Sequence, residues 1–338
     1  MGVRMDDIEA RTALDTALGT VRQEVVLSRD GLVLVALAWD GVDAPGYRTA
    51  SAAAREGTLE LREQAAATVP AIEAVTTTTP VVIFAGDTVE GGRQNRIINV
   101  TVWLSAGKVT QIPVSCLEAG RWNAGVRFRS SIKADVRMRA KMSRQVVDSA
   151  GRAHAAAGAW PAAPPDISAF ASDQGEVWSE IAQREQRARY RSHTSALHEV
   201  YAAEAQDLAG FARSFPCPVG AHGVAVGIGG RIVSAELFDA EATLAEQWPR
   251  LVEAAVAAWA DHGRAVTAGY EPAPLHRYPD PGAVDRMLAR ARSASGTAIA
   301  RPSVGAGTDL RLSAVRLSGG ALVVDGCPVH VELFRADD

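Results

Sequence analysis

VVIFAGDTVEGGRQNRIINVTVWLSAGKVTQIPVSCLEAGRW, residues 81–122, alternates apolar runs with turns rather than with helices. Val81–Ala85, Ile97–Leu104 and Val109–Cys116 are short and rich in β-branched residues, as strands are. Gly86-Asp87 opens a turn after the first run, and Ala106-Gly107 joins the second to the third. The stretch also gathers Asp87, Glu90, Gln94, Asn95, Arg96, Asn99, Cys116, Glu118 and Arg121 around those turns. It therefore carries both the class of the fold and the first candidates for a site.

Upstream, residues 5–20 read as a short helix with Ile8, Leu14 and Leu18 toward one side. Glu24–Trp39 gives two strands about Asp30-Gly31, a dipeptide that accepts the positive φ of a tight hairpin. Asp40–Pro45 is turn chemistry. A short helix ends at Gly57, a strand follows at Thr58–Arg62, and Thr76–Thr79 before Pro80 is a connector.

Downstream, Arg127–Ser131 adds a strand, and Ile132 to about Ala157 is helical with Met138, Met142 and Val146 four apart. Trp160–Ser168, with its prolines, reads as a loop. Asp173 stands three residues before Glu176 at a helix start, placing Val177, Trp178 and Ile181 toward the core. Thr194 or Ser195 can cap the next helix, whose apolar stripe runs from Leu197 to Phe215. Ala221–Phe238 is a hairpin about Gly229-Gly230. Asp239 can cap a long helix in which Pro249 implies a kink or a new start. Residues 263–280 read as loop, Pro281–Ser295 as helix and Gly296–Gly307 as a flexible link. Leu310–Phe334 closes the chain as strands about Gly319-Gly320 and Asp325-Gly326. GGRIVSAELF (229–238) and DGCPVHVELF (325–334) echo each other as turn, strand and Glu-Leu-Phe.

Helices mixed with hairpin-joined strands make the class α+β, with antiparallel sheets packed on several amphipathic helices. Residues 1–265 are expected to form one body with an internal boundary near 160–168. Residues 266–338 extend it with a helix and terminal strands docked on the same body.

A net charge of −4 over 338 residues gives the whole molecule no strong pull toward nucleic acid or an acidic membrane. Cys116, Cys217 and Cys327 are odd in number and far apart, which speaks for a reducing compartment. The charged N-terminal residues lack the apolar core of a signal peptide, and no apolar run is long enough to span a bilayer. A cytoplasmic setting is expected.

Gly86, Gly91 and Gly92 let the backbone turn closely amid Glu90, Gln94, Asn95, Arg96 and Asn99. Arg beside carboxamides suits a phosphate, carboxylate or ribose, because Arg offers a planar fork of donors and Asn or Gln offers paired donor and acceptor groups. The bland alternative is that the amides bind loop backbone while Arg96 pairs with Asp87 or Glu90. In SCLEAGRW (115–122), Cys116 and Glu118 share one face of a strand. Glu118 can serve as general base and Cys116, near Arg121, as nucleophile. The plain counterparts are a Glu118–Arg121 ion pair and a buried thiol acting as a small hydrophobe. Lys133, Arg137, Lys141 and Arg144 recur at three or four residues, a stripe for an anionic ligand or polymer, or simply a solvated helix face. His193 and His198 are off the same-face spacing and no paired CxxC occurs, so no metal is expected. GIGG at 227–230 is a hairpin turn rather than a phosphate loop, and no dinucleotide fingerprint appears.

GDTVEGGRQNRIINVTVWLSAGKVTQIPVSCLEAGRW (86–122), SDQGEVWSEI with SHTSAL (172–197) and GGRIVSAELFDAEATLAEQW (229–248) together resemble one bacterial family. That family is the ADP-ribosylglycohydrolase- and rhodanese-phosphatase-associated protein domain, and the resemblance covers roughly residues 20–265. Gln94, Asn95, Arg96, Cys116, Glu118, Arg121, Asp173, Gln174, Ser192 and Thr194 match positions of its motif. The family name implies neighbours that handle ADP-ribose and phosphate esters. The resemblance thus implies a protein that binds or processes a nucleotide-derived, ADP-ribose-like anion. Arg96 and Arg121 would clamp the anion, Asn95 and Gln94 would read ribose or amide groups, and Glu118 would be the acid/base. A non-catalytic scaffold is the rival, and nucleic-acid binding through residues 133–144 a weaker third.

Overall fold

Asp30 and Gly31 take positive φ, 49° and 85°, as a two-residue hairpin requires, and so join β1 (Arg22–Arg29) to β2 (Leu32–Ala38). The computed structural model describes residues 5–40, 46–64, 70–123, 125–157, 167–269 and 276–336. Ahead of the hairpin, α1 (Met5–Thr20) buries Leu14 and Leu18. β3 (Arg48–Thr49) leads into α2 (Ala50–Arg55), capped by the Thr49 hydroxyl, which accepts from the Ala52 N–H. β4 (Leu59–Arg62), β5 (Ala71–Thr76), β6 (Val81–Ile83) and β7 (Asp87–Gly91) follow. β8 (Arg96–Ile98), β9 (Val102–Leu104), β10 (Val109–Cys116) and β11 (Arg127–Lys133) complete this strand-rich half. The chain then turns helical in α3 (Val136–Ala157), a 3-10 turn (Ile167–Phe170), α4 (Gln174–Ala188) and α5 (Leu197–Ala212). The hairpin β12 (Gly223–Ile228) and β13 (Arg231–Phe238) precedes α6 (Glu241–Thr267) and α7 (Ala283–Ser295). β14 (Ile299–Pro302), β15 (Thr308–Ala314), β16 (Leu317–Val324) and β17 (Cys327–Arg335) end the chain. The class is α+β, as the periodicities require.

Eight strands form the main sheet in the order β1-β2-β12-β13-β17-β16-β15-β14, all antiparallel. Its two halves repeat one pattern: a helix (α1 or α7) followed by two hairpins. In the first half, residues 39–222 are inserted between the hairpins. The Glu-Leu-Phe echo thus has a spatial meaning, because β13 and β17 are neighbours at the centre and Glu236 lies directly opposite Glu332. The insertion carries a closed six-stranded barrel, β10-β5-β4-β11-β7-β8, and a small sheet, β3-β6-β9. Leu61, Ile72, Ala74, Val89, Ile112 and Phe128 belong to the apolar cluster at the barrel.

Several local expectations are overturned by these pairings. Ile97–Leu104 is two strands, β8 in the barrel and β9 in the small sheet. The break at 99–101 is held by Asn99, which donates to the Phe170 carbonyl, and by the Thr101 hydroxyl, which accepts from the Ala85 N–H. The turn expected at Gly86-Asp87 lies one residue earlier, at Ala85-Gly86, with Gly86 at φ 79° and Asp87 already in β7, and β14 arises within the expected link. Gly319-Gly320 is no turn but the interior of β16, where a Cβ on Gly319 would meet the Glu332 carbonyl at 2.5 Å and one on Gly320 the Arg311 guanidinium. The actual turn is at Val315-Arg316, with Arg316 at φ 59°. α6 runs unbroken through Pro249, which is exposed together with Ala245, so the carbonyl freed by the missing N–H faces water. Asp239 does not cap α6; its carboxylate accepts from the Tyr47 hydroxyl at 2.6 Å. Neither Thr194 nor Ser195 caps α5, whose N-cap is Ala196. Trp178 is 40% exposed rather than in the core, while Val177 and Ile181 are buried. Helix α6 takes up the start of the expected 263–280 loop. Of three expected loops, residues 41–45, 160–166 and 270–275 lie outside the described residues.

The insertion is fastened to the sheet by buried charge. Two glutamates side by side would repel in a dry interior, and cations from the insertion compensate them. From α3, Arg139 binds Glu236 and stands 3.7 Å from Glu332; Lys133 of β11 reaches Glu236 at 2.9 Å and Asp87 at 3.4 Å. His330 of β17 completes the knot, with Nε2 3.0 Å from Glu236 and Nδ1 2.8 Å from the Thr101 hydroxyl. Burial alone would push the Glu236 carboxyl up, but Arg139 and Lys133 outweigh it and hold it well below the usual carboxylate range.

Replacing Arg139 by Met should lower the unfolding free energy by about 3–5 kcal/mol, because two buried carboxylates lose their shared partner. Adding Glu332→Gln to that variant should recover part of the loss. Urea denaturation of the two variants measures both effects.

Candidate functional site

β8 and β10 pair so that Arg96 lies opposite Cys116, and the loop after β10 returns over the barrel end. Gly120 makes that return feasible, since a Cβ there would come within 2.9 Å of the Thr194 backbone. The motif residues converge on Glu118. Its Oε2 accepts from Arg121 Nε at 2.7 Å and from the Asn95 N–H at 3.2 Å, while its Oε1 accepts from the Thr194 hydroxyl at 2.8 Å. Gln94 donates to the Glu118 carbonyl at 2.8 Å and accepts from Arg96 Nη1 at 2.9 Å. Arg121 also donates to Asn95 Oδ1 at 2.9 Å and to the carbonyls of Gly91 and Gly92. Ser192 accepts from the Ala196 N–H at 2.8 Å, shaping the segment that carries Thr194.

Electrostatics follow from that enclosure. Burial pushes the Glu118 carboxyl up, but the hydrogen bonds from Arg121, Thr194 and Asn95 prevail and hold it below the usual carboxylate range. Burial lowers the affinity of the fully enclosed Arg96 for its proton and raises the pKa of the Cys116 thiol, which stays protonated. A thiolate nucleophile is therefore disfavoured at Cys116. Arg121, 23% exposed, and Thr194 form the partly open side of the cluster. Trp122 stands beside it, 51% exposed, with Arg93 over its ring at 5.2 Å.

Three candidates lie elsewhere. Asn99 accepts from Ser115 in the barrel wall. Asp87 pairs with Lys133 and with Arg250 at 3.2 Å, as part of the buried knot. Glu90 binds Arg129 at 2.8 Å and Ser131, and lies 3.6 Å from His198.

A groove of about 920 Å³ opens on the other side of α4. Val136, Ala140, Ile228, Val233 and Ala258 give it an apolar floor. Around them stand Arg137, Lys141, Arg144 and Arg152 of α3, with Arg231 and Arg335 from the sheet. Asp148, Asp173, Glu176 and Glu180 supply the acidic part of the wall. Lys141 is held by Glu176 at 3.2 Å and Glu180 at 3.4 Å, whereas Arg144 and Arg231 make no ion pair among the described residues. The basic spacing read in the sequence marks this face, except that Lys133 is on β11, wholly buried, and not in the stripe. Arg231 and Arg335 carry no local sequence signal; only the β13–β17 pairing brings them to α3.

The motif cluster reaches this groove through one side chain. Gln174 accepts from the Cys116 N–H at 2.7 Å and donates to its carbonyl at 2.8 Å, extending the β10 edge to the first residue of α4. Ser172, which hydrogen-bonds Ser115, and Asp173, the N-cap, then face the groove.

The chain belongs to the family described as ARG and Rhodanese-Phosphatase-superfamily-associated Protein domain, which it matches over residues 20–334, well past the end of the stretch whose motifs resemble it. No curated protein and no solved structure matches the chain. Among the described residues, no helix is long and apolar enough to cross a membrane, and no group of His, Cys, Asp and Glu is arranged to hold a metal.

Glu118→Gln should cost about 2–4 kcal/mol of stability, because Arg121, Thr194 and the Asn95 N–H lose an ionised acceptor. A midpoint in urea equal to the wild type would rule out that anchoring role. The native carboxyl releases its proton more readily than the unfolded one. Its contribution is therefore complete above its ordinary value of 4.5 and is lost as the pH falls through the lower native value. Between about pH 5 and pH 3 the wild type should lose more stability than Glu118→Gln, as acid-titrated denaturation would show.

Proposed function

We propose that this protein binds a small, nucleotide-derived anion, of the ADP-ribose type, in the groove along α3. The observation that carries this reading is the pairing of an apolar floor with Arg144 and Arg231, two guanidiniums that no carboxylate among the described residues neutralises. A volume of about 920 Å³ accommodates a ligand of that size. Arg forks suit phosphate oxygens, and Asp173 and Ser172 offer acceptors and a hydroxyl for a ribose. The family description names ARG and rhodanese-phosphatase proteins as associates, which supports a ligand bearing ribose and phosphate groups.

In this reading the motif residues work behind the wall. Glu118, Arg121, Asn95, Gln94 and Arg96 lock the loop after β10, and Gln174 transmits that geometry to the start of α4. The clamp expected of Arg96 and Arg121 passes to Arg144 and Arg231, and Glu118 acts as an anchor rather than an acid/base. A second reading, a non-catalytic interaction module, is favoured by the way Glu118, Arg121, Asn95 and Thr194 take one another as partners.

Isothermal titration with ADP-ribose, NAD, ribose 5-phosphate and neutral adenosine separates the two. ADP-ribose should bind and adenosine should not. Arg144→Glu with Arg231→Glu should weaken binding at least about tenfold, or about 1.4 kcal/mol. Heat signals absent for all four compounds, or unaltered by the charge reversals, would leave the interaction module as the surviving reading.

A further inference from the structure

A second cleft, of about 260 Å³, lies between α5, α6 and the end of β11. Its body is apolar because both helices present small side chains there, among them Ala205, Ala209, Ala254 and Ala257. Glu90, His198, Glu204 and Glu253 add polar groups to its wall, Glu204 being held by Arg184 and Arg264. Lys133 also borders it, but its ammonium is taken by Asp87, Glu236 and the Ala85 carbonyl.

His198 is the informative group. Its side chain is 9% exposed, and Nε2 lies 2.9 Å from the Thr88 hydroxyl. That hydroxyl gives its own hydrogen to the Ile132 carbonyl at 2.9 Å, so Nε2 must be the donor to Thr88. Burial lowers the pKa of His198 and keeps the ring neutral. Nδ1, on the opposite ring edge, is then a bare acceptor, buried and without a hydrogen-bond partner. Such an atom loses hydration without recompense unless a donor arrives. Glu253 makes no ion pair among the described residues, and Glu90 is kept ionised because Ser131 and Arg129 outweigh the effect of its burial.

We infer that this cleft is a binding site for a small apolar amine, whose ammonium donates to His198 Nδ1 within a wall that also carries Glu90 and Glu253, while its hydrocarbon part lies between α5 and α6. Three features agree on that chemistry: an acceptor lacking a donor, carboxylates whose charge favours a cation, and alanine walls that favour hydrocarbon. The site is separate from the α3 groove and shares no lining residue with it.

The test is isothermal titration of the full chain with 2-phenylethylamine, its neutral counterpart ethylbenzene, and phenylacetate. The amine should bind in the millimolar range or better and both other compounds at least about tenfold more weakly. Glu253→Gln, at the exposed mouth, should weaken the amine several-fold, His198→Phe should remove its preference over ethylbenzene, and Ala257→Leu should block entry. Arg144→Glu should leave amine binding unchanged, which separates this site from the anion groove. Equal binding of ethylbenzene and the amine, indifference to both Glu253→Gln and His198→Phe, or no heat from the amine would each overturn the assignment.

Discussion

The contact between Glu236 and Glu332 and the cations that meet them is the constraint from which the rest of the molecule follows. Two carboxylates on adjacent central strands cannot stay ionised in a dry interior without partners, and neither strand supplies enough of them. Arg139 and Lys133 come from the inserted segment, so the sheet is electrostatically complete only when that segment is docked. Arg311 and Asp309 extend the same arrangement along β15. Hydrophobic burial would tolerate sliding of α3 over the sheet, whereas a guanidinium shared by two carboxylates does not. The position of α3, and with it the basic face of the groove, is set by that requirement.

The polar motif around Glu118 makes most of its hydrogen bonds within itself. Glu118 collects donors from Arg121 in its own loop and from two segments distant in sequence, at Asn95 and at Thr194. Such a node defines a loop conformation more sharply than apolar packing could, because each unsatisfied partner would carry a desolvation cost. Gln174 then passes the conformation from β10 to α4 through two hydrogen bonds to the Cys116 backbone. A strongly marked polar motif and an open cleft need not coincide, and here the motif closes largely on itself while basic residues of α3 line the groove.

Much of this was legible in advance, for reasons that are local. Asp30-Gly31, Gly229-Gly230 and Asp325-Gly326 announce hairpins because few dipeptides accept their backbone angles. Met138, Met142 and Val146 announce α3 because one helix face repeats every three to four residues. What misled was also local. Gly319-Gly320 looks like a turn by composition, yet its glycines serve close approach to β17 and to Arg311. Pro249 looks like a break, yet an exposed carbonyl needs no intrahelical donor. Asp239 has the chemistry of a cap, but Tyr47 claims it. The candidate residues were legible as types, and the basic spacing on α3 was visible, but apart from the Glu118–Arg121 pair their partners were not.

The amino-acid sequence alone determined the α+β class, the main hairpins, the family and the residues of the polar motif, because turn angles, periodicity and motif spacing are properties of neighbouring residues. Tertiary structure alone decided that Ile97–Leu104 divides between a barrel and a second sheet, and that the two Glu-Leu-Phe strands lie side by side. It also decided that Glu118 and Arg121 spend their charge on each other while Arg144 and Arg231 face an open groove. Long-range pairing and burial settle which donors meet which acceptors, and no spacing along the chain encodes that.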